Sequence, residues 1–420
     1  MLRLWLILAL GCGGPEEEEP ALDRPGDKFV PENLDVNEYL VQNAVPLDSL
    51  TASHDDDSDL ESFDVLQSGE VVMLGEPDHG VAEAKEARLR LLGWLYHHHG
   101  VTDYYIEAGR GQANLIQAYV SSGDENYLDD LDINDYASMA RVVETFDFYR
   151  GLRDLVVTRP AGVPELRVRG YDLDHGMRNA SEYAAGYVET WGTAEQQDTA
   201  LPLVTCTDWT FDCEDAAFEA VDLLETDEAI WVSASGQDAF DEALGVVRSL
   251  AQTLHFYTRD YYTVTQYREN TMMERFDEYY AQKSGRVVVY GHNFHISTDA
   301  SNAPGWRYAL GEHIRDELGD DEVYALGMFY DHGSHLASYG TEVSTVSAPP
   351  TGHLEAYLRD AGMPMFLLDF GTAVAGDPGS GWVFDEISCM ANGYPDVALN
   401  PGASFDGVLF FEEATATTPL

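Results

Sequence analysis

Positively charged residues are scarce in this sequence. The chain of 420 residues has 23 Lys+Arg against 75 Asp+Glu, a formal net charge of −52, and its only lysines are Lys28, Lys85 and Lys283. Because nucleic-acid-binding proteins neutralise phosphates with clustered cations, this balance excludes a basic nucleic-acid-binding surface. It also argues against docking on anionic lipid through a polybasic patch. Hydrophobic residues nevertheless make up 45% of the chain, so the composition of this acidic protein is that of a globular one.

Several motifs with well-understood chemistry are also missing. The sequence has no Walker phosphate loop and no G-x-S-x-G, which excludes the serine nucleophile elbow of the α/β-hydrolases. It has four cysteines and no C-x-x-C pair, too few for a disulfide scaffold or a zinc knuckle. Cys206 and Cys213 lie close together in CTDWTFDC, and in an oxidising compartment they would form a small disulfide loop. The sequence alone leaves open whether this loop is closed.

The first apolar run is too short to cross a membrane. Leu4–Leu10 follows Arg3 and ends at Gly11-Cys12, whereas a spanning helix needs roughly 20 residues. This pattern predicts a signal peptide over residues 1–12, with Cys12 as the lipidated first residue of a bacterial lipoprotein. The alternatives are an ordinary secretory signal or a wrongly assigned start codon. Residues 13–45, rich in Pro, Gly and Glu, predict an acidic tether. We therefore expect an exported protein, either lipid-anchored to the bacterial cell envelope through Cys12 alone or secreted.

The rest of the chain, residues 46–415, alternates short β-rich runs with longer helical patterns. This alternation predicts an α/β domain with a mostly parallel central sheet flanked by helices. Residues 180–285 are mainly helical and predict a large insertion or lid layer. The predicted strands are Val71–Leu74, Tyr104–Ile106, Leu166–Tyr171, Val287–Tyr290, Val323–Met328, Met365–Leu368 and Val408–Phe411.

Ionisable residues follow four of the predicted strands. In open parallel sheets, ligands bind beyond the carboxyl ends of the strands. The residues that reach this edge should therefore form one site. In chain order they are Glu76 and His79 after the first strand, Glu107 after the second, Asp172, Asp174 and His175 after the third, and His292, Asn293 and His295 after the strand at Val287–Tyr290.

His79 is the candidate general base. It precedes a predicted helix, whose N-terminus should depress the pKa of a nearby histidine and keep the imidazole neutral. The structural alternative is a histidine that only completes the turn. Glu107 ends a buried strand, where a carboxylate is costly unless Arg88 or a histidine pairs with it. His292 and His295 are three residues apart, a spacing that suits binding of a substrate carbonyl, water or metal.

Taken together, these motifs resemble a known family. LGE-x-x-HG at Leu74–Gly80, then Arg88, Glu107 and HNxH at His292–His295, is similar to the pattern of the erythromycin esterase family. The helix RENTMMERFDEYY also resembles the family's R-D-x-x-M-A-x-N helix, although Glu269, Met273 and Arg275 depart from it. The resemblance extends over roughly Leu60 to Phe411, and Pro77 and Asp78 are further departures within the first motif.

The resemblance implies a hydrolase that cleaves an ester or lactone without a required cofactor. In that scheme His79 activates water, Glu76, Arg88 and Glu107 orient His79 and the water, and His292 and His295 bind or polarise the substrate. Asp172 is our further candidate for substrate binding. The natural substrate stays open, including whether macrolides are cleaved in antibiotic resistance, and so does the oligomeric state.

Two other functions compete with this hypothesis. The first is a metal-dependent hydrolase of another bond type, in which His79, His292, His295 and Glu107 would hold zinc or manganese. The second is a non-catalytic surface protein that binds a small molecule in the same pocket. Sensitivity to a chelator would separate the metal-dependent hydrolase from the esterase.

Overall fold

The computed structural model describes residues 33–52, 56–131, 142–299, 301, 307–337, 342–391 and 394–420. The predicted signal peptide at residues 1–12, the anchor at Cys12 and residues 13–32 of the predicted tether lie outside these ranges. Within them, no helix combines the length and the apolar character that a membrane crossing requires.

The described ranges contain eleven strands, nine of which form one mixed sheet. In chain order they are β1 Val45–Pro46, β2 Val71–Leu74, β3 Val101–Gly109, β4 Arg167–Asp172, β5 Arg286–Tyr290, β6 Val323–Leu336, β7 Val343–Val346, β8 Met365–Asp369, β9 Ile387–Ala391, β10 Tyr394–Leu399 and β11 Gly407–Ala414. The pair β9–β10 forms a separate antiparallel hairpin.

The order of strands confirms the predicted mostly parallel sheet. The order is β1-β8-β11-β6-β2-β5-β3-β4, with β7 paired to β6, and five of the eight pairings in the sheet are parallel. Leu74 at the end of β2 is in register with Tyr290 of β5 and Leu326 of β6. Tyr290 is in turn opposite Ile106 of β3. The segments that follow these strands therefore emerge at one edge.

Sixteen α-helices lie in the described ranges. They are α1 Leu34–Asn43, α2 Ser58–Glu61, α3 Ala82–His98, α4 Arg110–Ser122, α5 Asn126–Asp129, α6 Val143–Thr158, α7 Arg178–Trp191, α8 Ala194–Val204, α9 Phe211–Thr226, α10 Glu228–Ser235, α11 Gln237–Tyr257, α12 Tyr261–Tyr280, α13 Asn293–Ile296, α14 Leu310–Leu318, α15 Leu354–Arg359 and α16 Pro401–Ser404. Helices α7 to α12 follow one another without a strand, where a mainly helical insertion was predicted.

The sheet is covered by helices on both faces because its central strands are apolar on both faces. Successive side chains of a strand point to opposite sides. In β2, Val72 and Leu74 pack into the core beneath α3, α4 and α6. Val71 and Met73 pack into the opposite core, together with α1, α12, α14 and α15. This double burial explains why β2 is a continuous apolar run.

The stretch predicted as tether, residues 13–45, includes helix α1 at Leu34–Asn43. Asn33 accepts hydrogen bonds from the backbone N–H groups of Asp35 and Val36 and so caps α1. Val36 and Leu40, four residues apart on one face of α1, are fully buried. The structure also answers whether the loop between Cys206 and Cys213 is closed: the two cysteines are joined in a disulfide between α8 and α9.

Candidate active site

The candidate site lies at the carboxyl edge of the parallel strands, where β2 and β5 each lead into a tight segment. Glycine is required at position 75, since a Cβ there would lie 2.0 Å from the side-chain oxygen of Asn293. Asn293 in turn donates to the Met328 carbonyl at 2.7 Å and accepts from the Met328 N–H at 3.1 Å. These contacts fasten the segment that carries His79 and the segment that carries His292 to the same edge.

His79 and Glu76 form a hydrogen-bonded pair. The Nδ1 atom of His79 lies 2.8 Å from Oε2 of the fully buried Glu76. The His79 side chain is 15% exposed, whereas that of Glu76 is 1% exposed. A carboxylate on Nδ1 selects the tautomer with the proton on that nitrogen, which leaves Nε2 as the proton acceptor. The predicted partnership of Glu76 with His79 therefore has a defined geometry.

The predicted depression of the His79 pKa is wrong. Burial by itself lowers the pKa of His79, but the hydrogen bond to Glu76 and the charges of Glu76, Glu107 and Asp78 outweigh it and raise the pKa above 6.5. A carboxylate in direct contact is a stronger influence than a helix N-terminus, whose effect is confined to the first turn. The unprotonated form of His79, which is the base, therefore predominates only at a higher pH than for an ordinary histidine.

Glu76 stays ionised although it is fully buried. Burial alone raises the pKa of a carboxyl group, but the ammonium of Lys85 and the contact with His79 lower that of Glu76 to about 2. The Nζ atom of Lys85 lies 3.5 Å from Oε1 of Glu76. The two oxygens of Glu76 thus face two different partners, His79 on one side and Lys85 on the other.

Of the two partners predicted for Glu107, Arg88 or a histidine, the structure has the histidine, His295, and Arg88 lies elsewhere. Its guanidinium carbon lies 3.8 Å from the ring centroid of Phe148 and 3.7 Å from that of Tyr290, so the group is held between two aromatic rings. Its charge helps to keep the pKa of Glu76 low. Arg88 therefore influences the His79 pair from inside the core.

Glu107 connects Arg268 with the segment that carries His292 and His295. Its Oε1 accepts from the Nη2 of Arg268 at 2.9 Å and lies 3.3 Å from the Nε2 of His295. Its Oε2 accepts from the backbone N–H of His292 at 2.8 Å. Burial raises the pKa of Glu107, but the positive charge of His295 and the other cations hold it well below its usual range. Glu107 is a buried carboxylate that holds β3, α12 and the His292 segment together.

Asp172 lies in this network, but its contacts differ from the predicted substrate contact. Arg268 donates to both of its oxygens, at 2.9 and 2.6 Å, in a bidentate pair. The Nε2 of His175 lies 3.2 Å from Oδ2, and the other ring nitrogen of His175 lies 2.7 Å from the hydroxyl of Tyr257. Since Asp172 is buried and its oxygens are engaged, the geometry gives it the role of fixing Arg268.

His292 and His295 have opposite electrostatic surroundings. His292 lies beside His79, with a ring-centroid distance of 5.5 Å, and burial followed by the charge of His79 lowers its pKa to about 4. Its Nδ1 accepts from the backbone N–H of Phe294 at 3.2 Å, which places the proton on Nε2. Burial would also lower the pKa of His295, but the carboxylates of Glu269, 2.6 Å away, and Glu107 raise it to about 10.

We predict that these two histidines keep different protonation states across neutral pH. His292 should remain neutral and His295 should remain an imidazolium from pH 6 to 8, because their pKa values are about 4 and about 10. Ring nitrogen chemical shifts in ¹⁵N-histidine-labelled protein report both states, with His292→Gln and His295→Gln for assignment. A midpoint near 6.5 for either ring would contradict the electrostatics described above.

The predicted alternative metal ligands do not converge. Among the residues that the structure describes, no group of three or more His, Cys, Asp or Glu side chains is arranged to hold a metal ion. Both ring nitrogens of His295 face carboxylates, and the Nε2 of His292 faces the carbonyl of Pro77 at 3.3 Å. These donors fit a proton network better than a zinc or manganese site.

Sequence reasoning missed two contacts next to His79. The first is Lys85, whose Nζ donates to the His79 carbonyl at 3.1 Å. Lys85 lies three residues before Arg88, which places both cations on one face of α3. This spacing could have indicated from the sequence that Lys85 belongs to the site. The second is the close contact between the Nδ1 of His335 and Asp78. Nothing in the sequence signals this contact, since the two residues are 257 positions apart.

With this geometry in view, comparison with known proteins identifies the family. The family model for erythromycin esterase matches residues 96–414, more than half of the chain. The chain belongs to the erythromycin esterase family. The matched stretch contains Glu107, Asp172, His292 and His295 but begins after His79, so the role of the His79 segment depends on the geometry above. A relative from Bacillus subtilis (strain 168), named "Putative hydrolase YbfO", is 23% identical over 422 residues and covers 90% of each chain.

Three solved structures of other chains share the fold of this family member. A Bacillus cereus protein is 18% identical with a TM-score of 0.76, over 92% of this chain and 98% of that one. A protein described as a succinoglycan biosynthesis protein is 17% identical with a TM-score of 0.73, over the same shares. A mutant of the erythromycin esterase EreC in its open conformation is 17% identical with a TM-score of 0.67, over 87% and 96%. At these identities the likeness establishes the fold.

Proposed function

We propose that this family member hydrolyses an ester or lactone bond, with His79 as the general base that activates water. One observation carries the proposal. His79 is hydrogen-bonded through Nδ1 to a buried, ionised carboxylate while its side chain is partly exposed. A histidine oriented in this way by a carboxylate is the arrangement of a general base. The family and the name of the Bacillus subtilis relative support the hydrolase class.

The proposed reaction needs one proton acceptor and one donor to the carbonyl. A water molecule gives a proton to the Nε2 of His79 while its oxygen attacks the carbonyl carbon, and the protonated His79 then returns this proton to the departing alkoxide. His292 carries its proton on Nε2, 3.3 Å from the carbonyl of Pro77, which is long for a hydrogen bond. This N–H is the donor that we assign to the substrate oxygen.

Hydrolysis of a panel of esters and lactones, macrolides included, tests the proposal. The protein without its first 12 residues is treated with a chelator and assayed beside His79→Ala. Turnover that survives the chelator and is lost in the variant supports the general-base esterase. Turnover that is lost with the chelator and returns with zinc or manganese supports the metal-dependent hydrolase. A folded protein that binds members of the panel without turnover supports the binding protein.

The pH dependence of the rate should show His79 as a group with a raised pKa. The base is the unprotonated form, so kcat/KM rises as pH increases through the pKa of His79 in the free enzyme. Because the facing carboxylates raise this pKa, the midpoint of the rising limb should lie above 6.5. The measurement is kcat/KM from pH 4 to 10 on the best substrate of the panel. A midpoint in the usual carboxyl range would assign the base to a carboxylate instead.

A further inference from the structure

Lys85 is a buried lysine in direct contact with both residues of the His79 pair. Its side chain is 5% exposed, and its Nζ lies 3.5 Å from Oε1 of Glu76. The same Nζ donates to the backbone carbonyl of His79 at 3.1 Å. Lysines are rarely buried without a partner, and this chain has only three lysines. The position of Lys85 therefore calls for an explanation at the site itself.

We propose that Lys85 is a positioning residue: its ammonium is the counter-charge of Glu76 while His79 is unprotonated, and it also holds the His79 backbone in place. This inference rests on the proposed function and adds a residue to it. Lys85 acts through Glu76 and the His79 backbone, without contact with the reacting atoms.

The charge of the His79–Glu76 pair changes during the reaction. While His79 is protonated, its positive charge balances the carboxylate of Glu76. When His79 becomes the free base, Glu76 would be a buried anion without that balance, which is strongly unfavourable in a low-dielectric interior. The ammonium of Lys85 faces the other oxygen of Glu76 and removes this penalty. Lys85 thereby favours the unprotonated, catalytically competent form of His79.

Other charged and titratable groups also face the pair, and none of them takes over this contact. Arg88 is the other cation near Glu76, and its guanidinium is held between the rings of Phe148 and Tyr290. Among the described residues, further groups that face His79, Glu76 or Lys85 are Asp78 from the same turn, Glu107 from β3, Glu144 from α6, Tyr290 from β5, whose hydroxyl is hydrogen-bonded to Glu76, and His292 next to α13.

The surroundings of Lys85 allow the charge and the hydrogen bond to be tested separately. Lys85 also lines a cavity of about 560 Å³ bounded by α3 and α6, so the larger guanidinium of Lys85→Arg has room beside it. Lys85→Gln removes the charge and keeps a donor for the His79 carbonyl. Lys85→Met removes both. Lys283→Met is the matched control, because Lys283 pairs with Glu70 and precedes β5, at the opposite edge of the sheet.

The expected result is a shift of the pH–rate profile in the uncharged variants. Loss of the positive charge of Lys85 beside Glu76 should raise the midpoint of the rising limb by about one unit, which lowers kcat/KM about tenfold at pH values well below the midpoint. Activity should recover at pH values above the new midpoint. Lys85→Gln and Lys85→Met should shift the midpoint alike, and Lys85→Met should in addition have a lower kcat/KM above the midpoint, because it cannot donate to the His79 carbonyl. Lys85→Arg should restore most of the midpoint, and Lys283→Met should match the unmodified protein.

Two outcomes would overturn the role of Lys85. A profile that keeps its midpoint and falls equally at all pH values would mean that the side chain only supports the fold. A Lys85→Arg variant that is no better than Lys85→Gln would mean that the charge is not the cause. If Lys85→Met does not fold, Lys85→Gln alone decides between these results, with circular dichroism to confirm its fold.

A second readout separates this inference from the proposed function. The pKa of His79, followed by NMR with His79→Gln for assignment, does not require turnover. If no ester or lactone is cleaved, the proposed function fails, while a raised His79 pKa in Lys85→Gln still supports the charge role of Lys85. If esters are cleaved and His79→Ala is inactive, an unchanged His79 pKa in Lys85→Gln overturns only the inference about Lys85.

Discussion

Replacing His79 with alanine is expected to lower kcat/KM at least ~100-fold, the lower end of what a positioned general base contributes. The reason is geometric. The pair of His79 with Glu76 presents an oriented imidazole whose Nε2 is the proton acceptor, and the two histidines of the HNxH segment have other partners. His295 lies between two carboxylates, and both ring nitrogens of His292 face backbone groups. Neither His292 nor His295 can therefore replace the lost base.

The control for this substitution is His97→Ala. His97 lies near the end of α3, and its Nε2 lies 2.9 Å from the carbonyl of Leu155, one helix length from the site. The same chemical change there should leave kcat/KM unaltered. Both variants are assayed after treatment with the chelator, so that loss of a metal ligand cannot mimic loss of the base. A decrease smaller than about tenfold in His79→Ala would reject the assignment, because it falls short of a general-base contribution.

The position of the site could be predicted from sequence because it depends on strand ends. The apolar runs of β2, β3 and β5 are short, continuous and bounded, so they could be recognised as buried strands. Parallel pairing then brings the residues that follow them to one edge. Glu76, Glu107 and His292 meet there, as expected. The helical layer from α7 to α12 could likewise be recognised from its length and periodicity.

The partners within the site could not be predicted in the same way. Arg88 and Arg268 are both arginines on helices, and sequence does not say which of them reaches Glu107. The packing of Phe148 and Tyr290 around Arg88 decides this, since it holds that guanidinium inside the core. Arg268, on α12 and 161 residues from Glu107 in the chain, forms the pair instead. Such pairing depends on side-chain packing across elements, which periodicity does not report.

The predicted direction of the shift in the His79 pKa was wrong for a related reason. A helix N-terminus can be read from sequence, and its effect on a histidine has a known sign. The carboxylate 2.8 Å from His79 belongs to Glu76, three residues earlier, and a turn can place such a side chain near or far. Once the contact exists, it outweighs the helix. Electrostatic predictions at this site therefore needed the turn geometry that only the structure supplies.

Arg268→Met should lower the free energy of unfolding by about 3–5 kcal/mol, the usual effect of removing one partner from a buried ion pair. Arg268 donates to Glu107 and to both oxygens of Asp172, and both carboxylates are almost fully buried. Without the guanidinium, both buried carboxylates lose the cation that contacts the two of them. Urea denaturation at pH 7 measures the difference. The control is Arg248→Met, which breaks the exposed pair with Glu225 and should cost about 0–1 kcal/mol.

The pH dependence of this difference tests whether the lost charge is the cause. The pKa of Asp172 in the folded protein is well below 3.8, because the charges of Arg268 and His175 outweigh its burial. A carboxylate with a depressed pKa stabilises the fold above its ordinary pKa, and this contribution is lost as the pH falls through the depressed value. The difference in free energy of unfolding between Arg268→Met and the unmodified protein should therefore be largest near neutral pH and should become smaller below about pH 4. A gap that stays constant down to pH 3 would assign the loss to packing of the arginine side chain, and the two carboxylates would then need another explanation for remaining ionised inside the protein.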